Sequence, residues 1–327
     1  MLGDGGVVNS AKVIREHLGG ERVVWTIDSG VMGPVLGLTA NIHGDESTGV
    51  VVLNQILEQG HVLQKGKLRL FPSLNPEGLA EVRRESPKLA QDLNRLFPNC
   101  LDSRVAVHPD LRSIWFALQE PHLDMLIDIH SDSGLAIPYV LMDRQLSPNI
   151  QVMHQMQEMA EVLGLYTLKE YLPHDYRRYQ LQRSLSGAVL NSLQVPCLTL
   201  EIGRRRHVLW EDVLTALSAL GRLLSHFGMV DHGDLVQLGW DQPKPSKLTG
   251  VWRRDNGPIT REEGLVVPIA PLGQLLREGD AIAKIVNAQG ITRETVCAKQ
   301  TCVVLAYPDK AWIARWLSIC TIGVLET

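Results

Sequence analysis

A largely apolar run over residues 31–42 ends in the polar tetrad His43-Gly-Asp-Glu46, and apolar positions at helical spacing follow (Val50, Val51, Leu53, Ile56, Leu57). The pattern predicts a buried strand, a tight loop at Gly44 and a helix, which sets His43 and Glu46 at the carboxyl end of a strand. Met125–His130 repeats the arrangement, with an imidazole delivered just before the small-residue loop Ser131-Asp-Ser-Gly134. Residues 195–201 form a third apolar run, ending on Glu201. Three strands that each stop on an ionisable group point to an α/β sheet with its ligand site at the strand ends. Further strands are expected at 23–27 and 67–70. Helices are expected at 11–18 (weakly patterned), 110–119, 148–163, 184–193 and 210–227. The stripe Ile150, Met153, Met156, Met159 and Val162 reads as core packing.

Two stretches carry neither period. Residues 82–98 hold Arg83, Arg84, Asp92, Asn94 and Arg95, groups suited to anions, and read as an ordered loop over a site. Residues 166–183 mix Tyr171, His174, Tyr176, Arg177, Arg178, Tyr179 and Arg183. They suit a loop lining a polar cleft or, equally, a solvated surface loop. Beyond residue 234 the pattern changes to short β-type runs broken by Gly and Pro, at 247–253, 264–269, 281–286, 294–297, 302–306 and 322–325, with a tight turn within 273–280. Such spacing indicates a small all-β domain. The expected division is 1–232 and 233–327.

Composition narrows the function classes. Hydrophobic residues make up 45% and charged residues 21% of the 327, as in a globular protein able to bury a large core. A formal net charge of −4 gives no reason to expect nucleic acid or a membrane surface as partner. No apolar run is long enough to cross a bilayer, and the N-terminal Met1-Leu-Gly-Asp-Gly-Gly lacks the features of a signal peptide. Cys100, Cys197, Cys297, Cys302 and Cys320 are odd in number and contain no C-x-x-C, which fits free thiols in a reducing cytoplasm better than a Cys297–Cys302 pair. The absence of G-x-G-x-x-G speaks against a dehydrogenase or kinase.

The residue types at the strand ends suit a metal. Zinc takes imidazole nitrogen and carboxylate oxygen, and a catalytic zinc keeps three protein ligands and an open position. His43 and Glu46, at H-x-x-E spacing, and His130 supply three, although such a donor set discriminates poorly among first-row ions. Glu201, preceded by five residues without formal charge, is expected at a partly desolvated sheet end, where a carboxyl pKa rises toward that of a general base. The alternative is an ion pair with Arg204, Arg205 or Arg206; the two can hold together.

The motifs His43-Gly-Asp-Glu46, Asn75-Pro76, Asp92-Leu-Asn94-Arg95-x-Phe97-Pro98, Asp128-Ile-His130 and Glu201-Ile-Gly203 occur in one order over residues 35–205. In this the chain resembles the succinylglutamate desuccinylase/aspartoacylase family of zinc-dependent N-acyl amino acid hydrolases, relatives of the zinc carboxypeptidases. The resemblance implies a carboxypeptidase-like α/β domain, with a central mixed β-sheet flanked by helices, and a smaller C-terminal all-β domain. It implies one Zn2+ per chain on His43, Glu46 and His130, with Glu201 as general base and acid. It further implies that Asn94 and Arg95 hold a substrate carboxylate and that an upstream arginine polarises the scissile carbonyl, with Arg84 the candidate and its neighbour Arg83 the alternative. The remaining substrate-side arginine and tyrosine would come from Tyr176, Arg177, Arg178 and Arg183. The run Arg204-Arg205-Arg206 is more basic than the family pattern and hints at an acidic substrate, or is simply solvated. The expected activity is cleavage of a small N-acyl amino acid in the cytoplasm, with self-association left open. The rivals are a carboxypeptidase acting on a peptide C-terminus and a non-catalytic binding protein on the same fold.

Overall fold

The computed structural model describes residues 11–98, 109–244, 248 and 250–326, without the side chain of His61. The N-terminal hexapeptide, Cys100, His108 and Lys247 therefore lie outside the described residues. The chain opens with a hairpin of β1 (Lys12–Gly19), where the weak pattern suggested a helix, and β2 (Arg22–Asp28), the strand expected at 23–27. The Gly19-Gly20 turn, at φ 110° and 57°, lets β1 fold back, and ladder pairing along β2 overrides the ambiguous local pattern. Next come β3 (Val35–Ala40), α1 (Thr48–Glu58), β4 (Lys67–Phe71), α2 (Pro76–Glu81), α3 (Pro109–Ala117) and β5 (Met125–His130). They are followed by β6 (Leu135–Ala136), β7 (Tyr139–Met142), α4 (Ile150–Leu163), β8 (Tyr166–Lys169), α5 (Pro173–Arg178), α6 (Leu185–Ala188), β9 (Cys197–Glu201) and α7 (Trp210–His226).

The central sheet runs β1-β2-β4-β3-β5-β9-β7-β8, with β4, β3, β5 and β9 parallel and β7 antiparallel to β9. Every residue of β5 and β9 is buried, as expected of central strands covered on both faces. Helix α1 packs on β3, β4 and β5, α4 on β7 and β9, and α6 on β5 and β9; α7 lies against both α1 and α4. On α4, Met156 and Met159 are core residues, whereas Ile150 and Met153 face solvent, because Val152 and Ala160 take the inward positions instead.

The stretch 166–183, without a period in sequence, holds β8, α5 and a 3-10 turn. Sheet pairing with β7 and burial of Tyr176 decide that structure, which side-chain periodicity does not announce. The expected helix at 184–193 is the short α6 continuing as a π-helical turn over Val189–Leu193.

After α8 (His232–Leu238), the β-runs become β10 (Trp252–Asn256), β11 (Gly264–Pro268), β12 (Leu275–Leu276), β13 (Ala281–Val286), β14 (Thr292–Cys297), β15 (Cys302–Tyr307), β16 (Trp312–Ile313) and β17 (Thr321–Leu325). Strands β11, β13, β14 and β16 form an antiparallel sheet, part of a small second core. Strand β10 instead pairs with β8 and β17, so β10, β17, β15 and β12 extend the central sheet. Cys197, Cys302 and Cys320 are buried free thiols and Cys297 is half-buried and free. Among the described residues no helix is long and apolar enough to cross a membrane.

Candidate metal centre and substrate pocket

The loop after β3 is tied from within. Asn41, at φ 56°, donates through Nδ2 to the carbonyls of His43 (2.9 Å) and Glu46 (3.1 Å), and its Oδ1 accepts from Ser73 Oγ at 2.6 Å. Gly44 is required by close approach, since a Cβ there would sit 2.0 Å from the Gly78 carbonyl carbon. Asn75 caps α2 through Gly78 N, and its Nδ2 faces the carbonyls of Ile42 and Arg84, so Asn75-Pro76 braces the loop from behind. On the neighbouring strands, His130 of β5 lies in register with Glu201 of β9. Gly203, at φ 81°, lets the chain turn away against Thr48.

These elements bring His43, Glu46 and His130 together, all buried, with one donor atom of each within 4.8 Å of the others. The two oxygens of Glu46 face one imidazole each: Oε1 is 2.9 Å from His43 Nδ1 and Oε2 is 2.9 Å from His130 Nδ1. The far nitrogens are backed by carboxylates. His130 Nε2 meets Asp128 Oδ2 at 3.0 Å, and Asp128 Oδ1 accepts from Thr39 at 2.7 Å. His43 Nε2 meets Asp92 Oδ1 at 3.2 Å. Carboxylate-backed imidazoles are the usual setting of a histidine metal ligand, because the outer bond fixes ring orientation and tautomer. Burial alone would raise the Glu46 pKa, yet the facing imidazoles hold it well below the carboxylate range; burial would lower His130, yet Asp128 and Glu46 raise it well above the usual value. A divalent cation would displace the protons shared among these donors, so the residues present fit a metal by donor type, spacing and backing.

Glu201 is buried, and its Oε2 has no hydrogen-bond partner. Burial first, then the Asp132 and Glu46 charges, raise its pKa to about 8 against the opposing His130 and Arg254. Of the run after β9, Arg204 pairs with Glu211 on the surface and Arg206 is exposed, whereas Arg205 enters the pocket, 2.8 Å from Asp309 and 3.5 Å from Glu46. No ion pair joins any of the three to Glu201.

The loop 82–98 does lie over the cluster. Arg84 places NH1 3.5 Å from Glu46 and NH2 3.0 Å from Asp92, while Arg83 points outward to Glu81. Asn94 is buried with its Oδ1 accepting from Leu185 N at 2.6 Å, which leaves its amide nitrogen for a ligand. Arg95 spends Nε on the Tyr179 carbonyl and NH1 on the Asn94 carbonyl. Arg84, Asn94 and Arg95 line one open pocket together with His43, Glu46, His130 and Glu201.

Among the pocket residues that sequence reasoning missed are the ionisable Asp143, Glu170 and Arg254. Tyr176 is buried under the pocket and donates to Asp143 (2.8 Å), while Arg177 and Arg178 face solvent. No sequence signal separates Arg254 from Arg253, which is turned to Asp255 at 2.7 Å.

The family model of the succinylglutamate desuccinylase/aspartoacylase catalytic domain matches residues 32–227. A solved succinylglutamate desuccinylase/aspartoacylase from Rhodobacter sphaeroides has the same fold, with a TM-score of 0.73 at 16% identity over 97% of this chain and 95% of that one. The chain is 29% identical over 100 residues to an N-alpha-acetyl-L-2,4-diaminobutyric acid deacetylase of Halomonas elongata (30% of this chain). It is 23% identical over 152 residues to carboxypeptidase M of Mus musculus (38% of this chain). The matched stretches span only 29% and 34% of those two relatives.

Proposed function

The chain belongs to the succinylglutamate desuccinylase/aspartoacylase family, and from that premise we propose that it is a zinc-dependent amidohydrolase cleaving the amide of a small N-acyl amino acid. The observation that carries the reading is one pocket holding both the His43-Glu46-His130 cluster and the unsatisfied carboxylate of Glu201. His43, Glu46 and His130 would hold the ion, one per chain. Zinc bound there supplies Lewis-acid polarisation of the acyl oxygen and a lowered pKa for attacking water.

The chain's own residues do the rest. Glu201 Oε2 accepts the proton of the attacking water and later delivers it to the nitrogen of the leaving amine. Asp92 anchors Arg84 through NH2, so that NH1 is aimed at the cluster and can donate to the oxygen on which charge develops. The Asn94 amide nitrogen and Arg95 bind the substrate's carboxylate, for which a planar guanidinium is suited.

A carboxypeptidase reading has one observation in its favour, the likeness to carboxypeptidase M, because a peptide C-terminus also presents a carboxylate. One experiment separates the two. Zinc-loaded protein is offered N-acetyl and N-succinyl amino acids beside short peptides with free C-termini. Turnover of the N-acyl amino acids supports the deacylase, and peptide cleavage without it overturns the reading in favour of the carboxypeptidase. A protein that takes up zinc and hydrolyses neither set leaves only the binding-protein rival.

A further inference from the structure

The family match ends at residue 227, yet the pocket does not. Strand β10 joins the edge of β8 at a single register point, Arg253 beside Lys169, which sets the next residue, Arg254, beside Glu170 and Tyr171. The Arg254 guanidinium lies over the Tyr171 ring, 5.4 Å from its centroid, and the Tyr171 hydroxyl is held by Asn256 at 2.9 Å. Its one ion pair is loose: NH1 stands 3.5 Å from Glu170 Oε1, where a charge-assisted bond closes to about 2.8 Å. Nε is buried with no partner at all. Nε faces the interior, so a ligand would meet the terminal nitrogens, which keep some exposure on the pocket wall and have only the loose Glu170 contact.

Arg95 is partly engaged. Its Nε donates to the Tyr179 carbonyl and one NH1 hydrogen to that of Asn94, so two of its five N–H donors are taken and its side-on edge through Nε is not free for a ligand. Arg95, Glu170 and Arg254 line the same pocket, and after burial the Arg84 and Arg254 charges add to what lowers the Arg95 pKa, against Asp92 and Glu170. Two guanidinium groups lining one pocket suit the carboxylate of a substrate.

We propose that Arg254, supplied by C-terminal strand β10, is a second carboxylate-binding arginine of this pocket, acting beside Arg95 and setting specificity for substrates with a free carboxylate. The inference rests on the deacylase reading, and it makes the C-terminal region part of the active site.

The test compares zinc-loaded wild type, Arg254→Gln, Arg254→Lys and Arg253→Gln on the best N-acetyl amino acid and on its C-terminal amide. Loss of a charged hydrogen bond predicts that Arg254→Gln lowers kcat/KM on the acid by about 10–100-fold, mostly through KM, with the amide changed less than about threefold. Arg254→Lys keeps the charge and recovers part of the loss, and Arg253→Gln behaves as wild type. Equal losses on acid and amide, or no loss on either, overturn the proposal, provided zinc content and melting temperature match wild type.

Calorimetric binding of the same acid and amide to the zinc-loaded proteins gives an arm independent of turnover. Wild-type preference for the acid, abolished in Arg254→Gln, sustains the proposal even if no substrate is hydrolysed. Indifference of the wild type to acid or amide overturns it. Absence of turnover with acid-selective binding would instead remove the deacylase reading alone.

Discussion

The two ends of the pocket are built on opposite plans. At the metal end the ligand-type atoms have partners: both oxygens of Glu46 face imidazoles, and both outer imidazole nitrogens meet carboxylates. At the arginine end donors are left over, with Arg254 Nε unpartnered and its ion pair to Glu170 loose. Saturated groups hold position, and a loosely paired guanidinium on a pocket wall is free to take a ligand. Glu201 sits at the metal end but its Oε2 is also left unpartnered, which suits the proton-exchanging part proposed for it.

The strongest way to break this comparison is at the metal end. His130→Ala or Glu46→Gln should abolish stoichiometric zinc, read by elemental analysis, and lower turnover by on the order of 10³-fold or more. Full zinc occupancy in either variant would show that the cluster is not the site. Glu201→Gln should keep its zinc and lose about 10²–10⁴-fold in kcat, the span of a lost general base. Retained kcat would return Glu201 to a structural part. Asp128→Asn leaves His130 in place but weakens its backing, so zinc affinity should fall about 10–100-fold in competition with a chelator. An unchanged affinity would make the Asp128 contact incidental.

The smallest effect belongs to the arginine end. Burial first, and then the Glu170 charge, raise the Asp143 pKa from 3.8 to about 7. The folded state therefore binds this proton more tightly than the unfolded chain between pH 4 and 7, and its contribution to stability is present at low pH and lost as pH rises through 7. Asp143→Asn removes that dependence. The variant's melting temperature should change less than the wild type's between pH 5 and 8, by on the order of a few degrees. Parallel melting curves across that range would refute the assignment.

Much of the metal end could be read from the chain, for a local reason. His43 and Glu46 are three residues apart on a strand–loop–helix unit whose period and glycine are visible in sequence, and His130 and Glu201 each end an apolar strand. The arginine end was not legible. The polar stretch 166–183 yielded candidates of the right type, of which Tyr176 became a buried brace while Arg177 and Arg178 stayed in solvent. Strand β1 likewise passed for a helix, because an exposed edge strand need not alternate.

By itself, then, the sequence determined which side chains end the central strands and the chemistry those strand ends can carry, since that information is local and periodic. Tertiary structure alone decided that Glu46 meets an imidazole 84 residues away, that Arg84 rather than Arg83 turns inward, and that Arg254 faces the pocket while Arg253 does not. The physical reason is that strand order and register, set by burial over the whole sheet, fix which distant side chains share a space, and neighbours of identical type carry no mark of which way they will point.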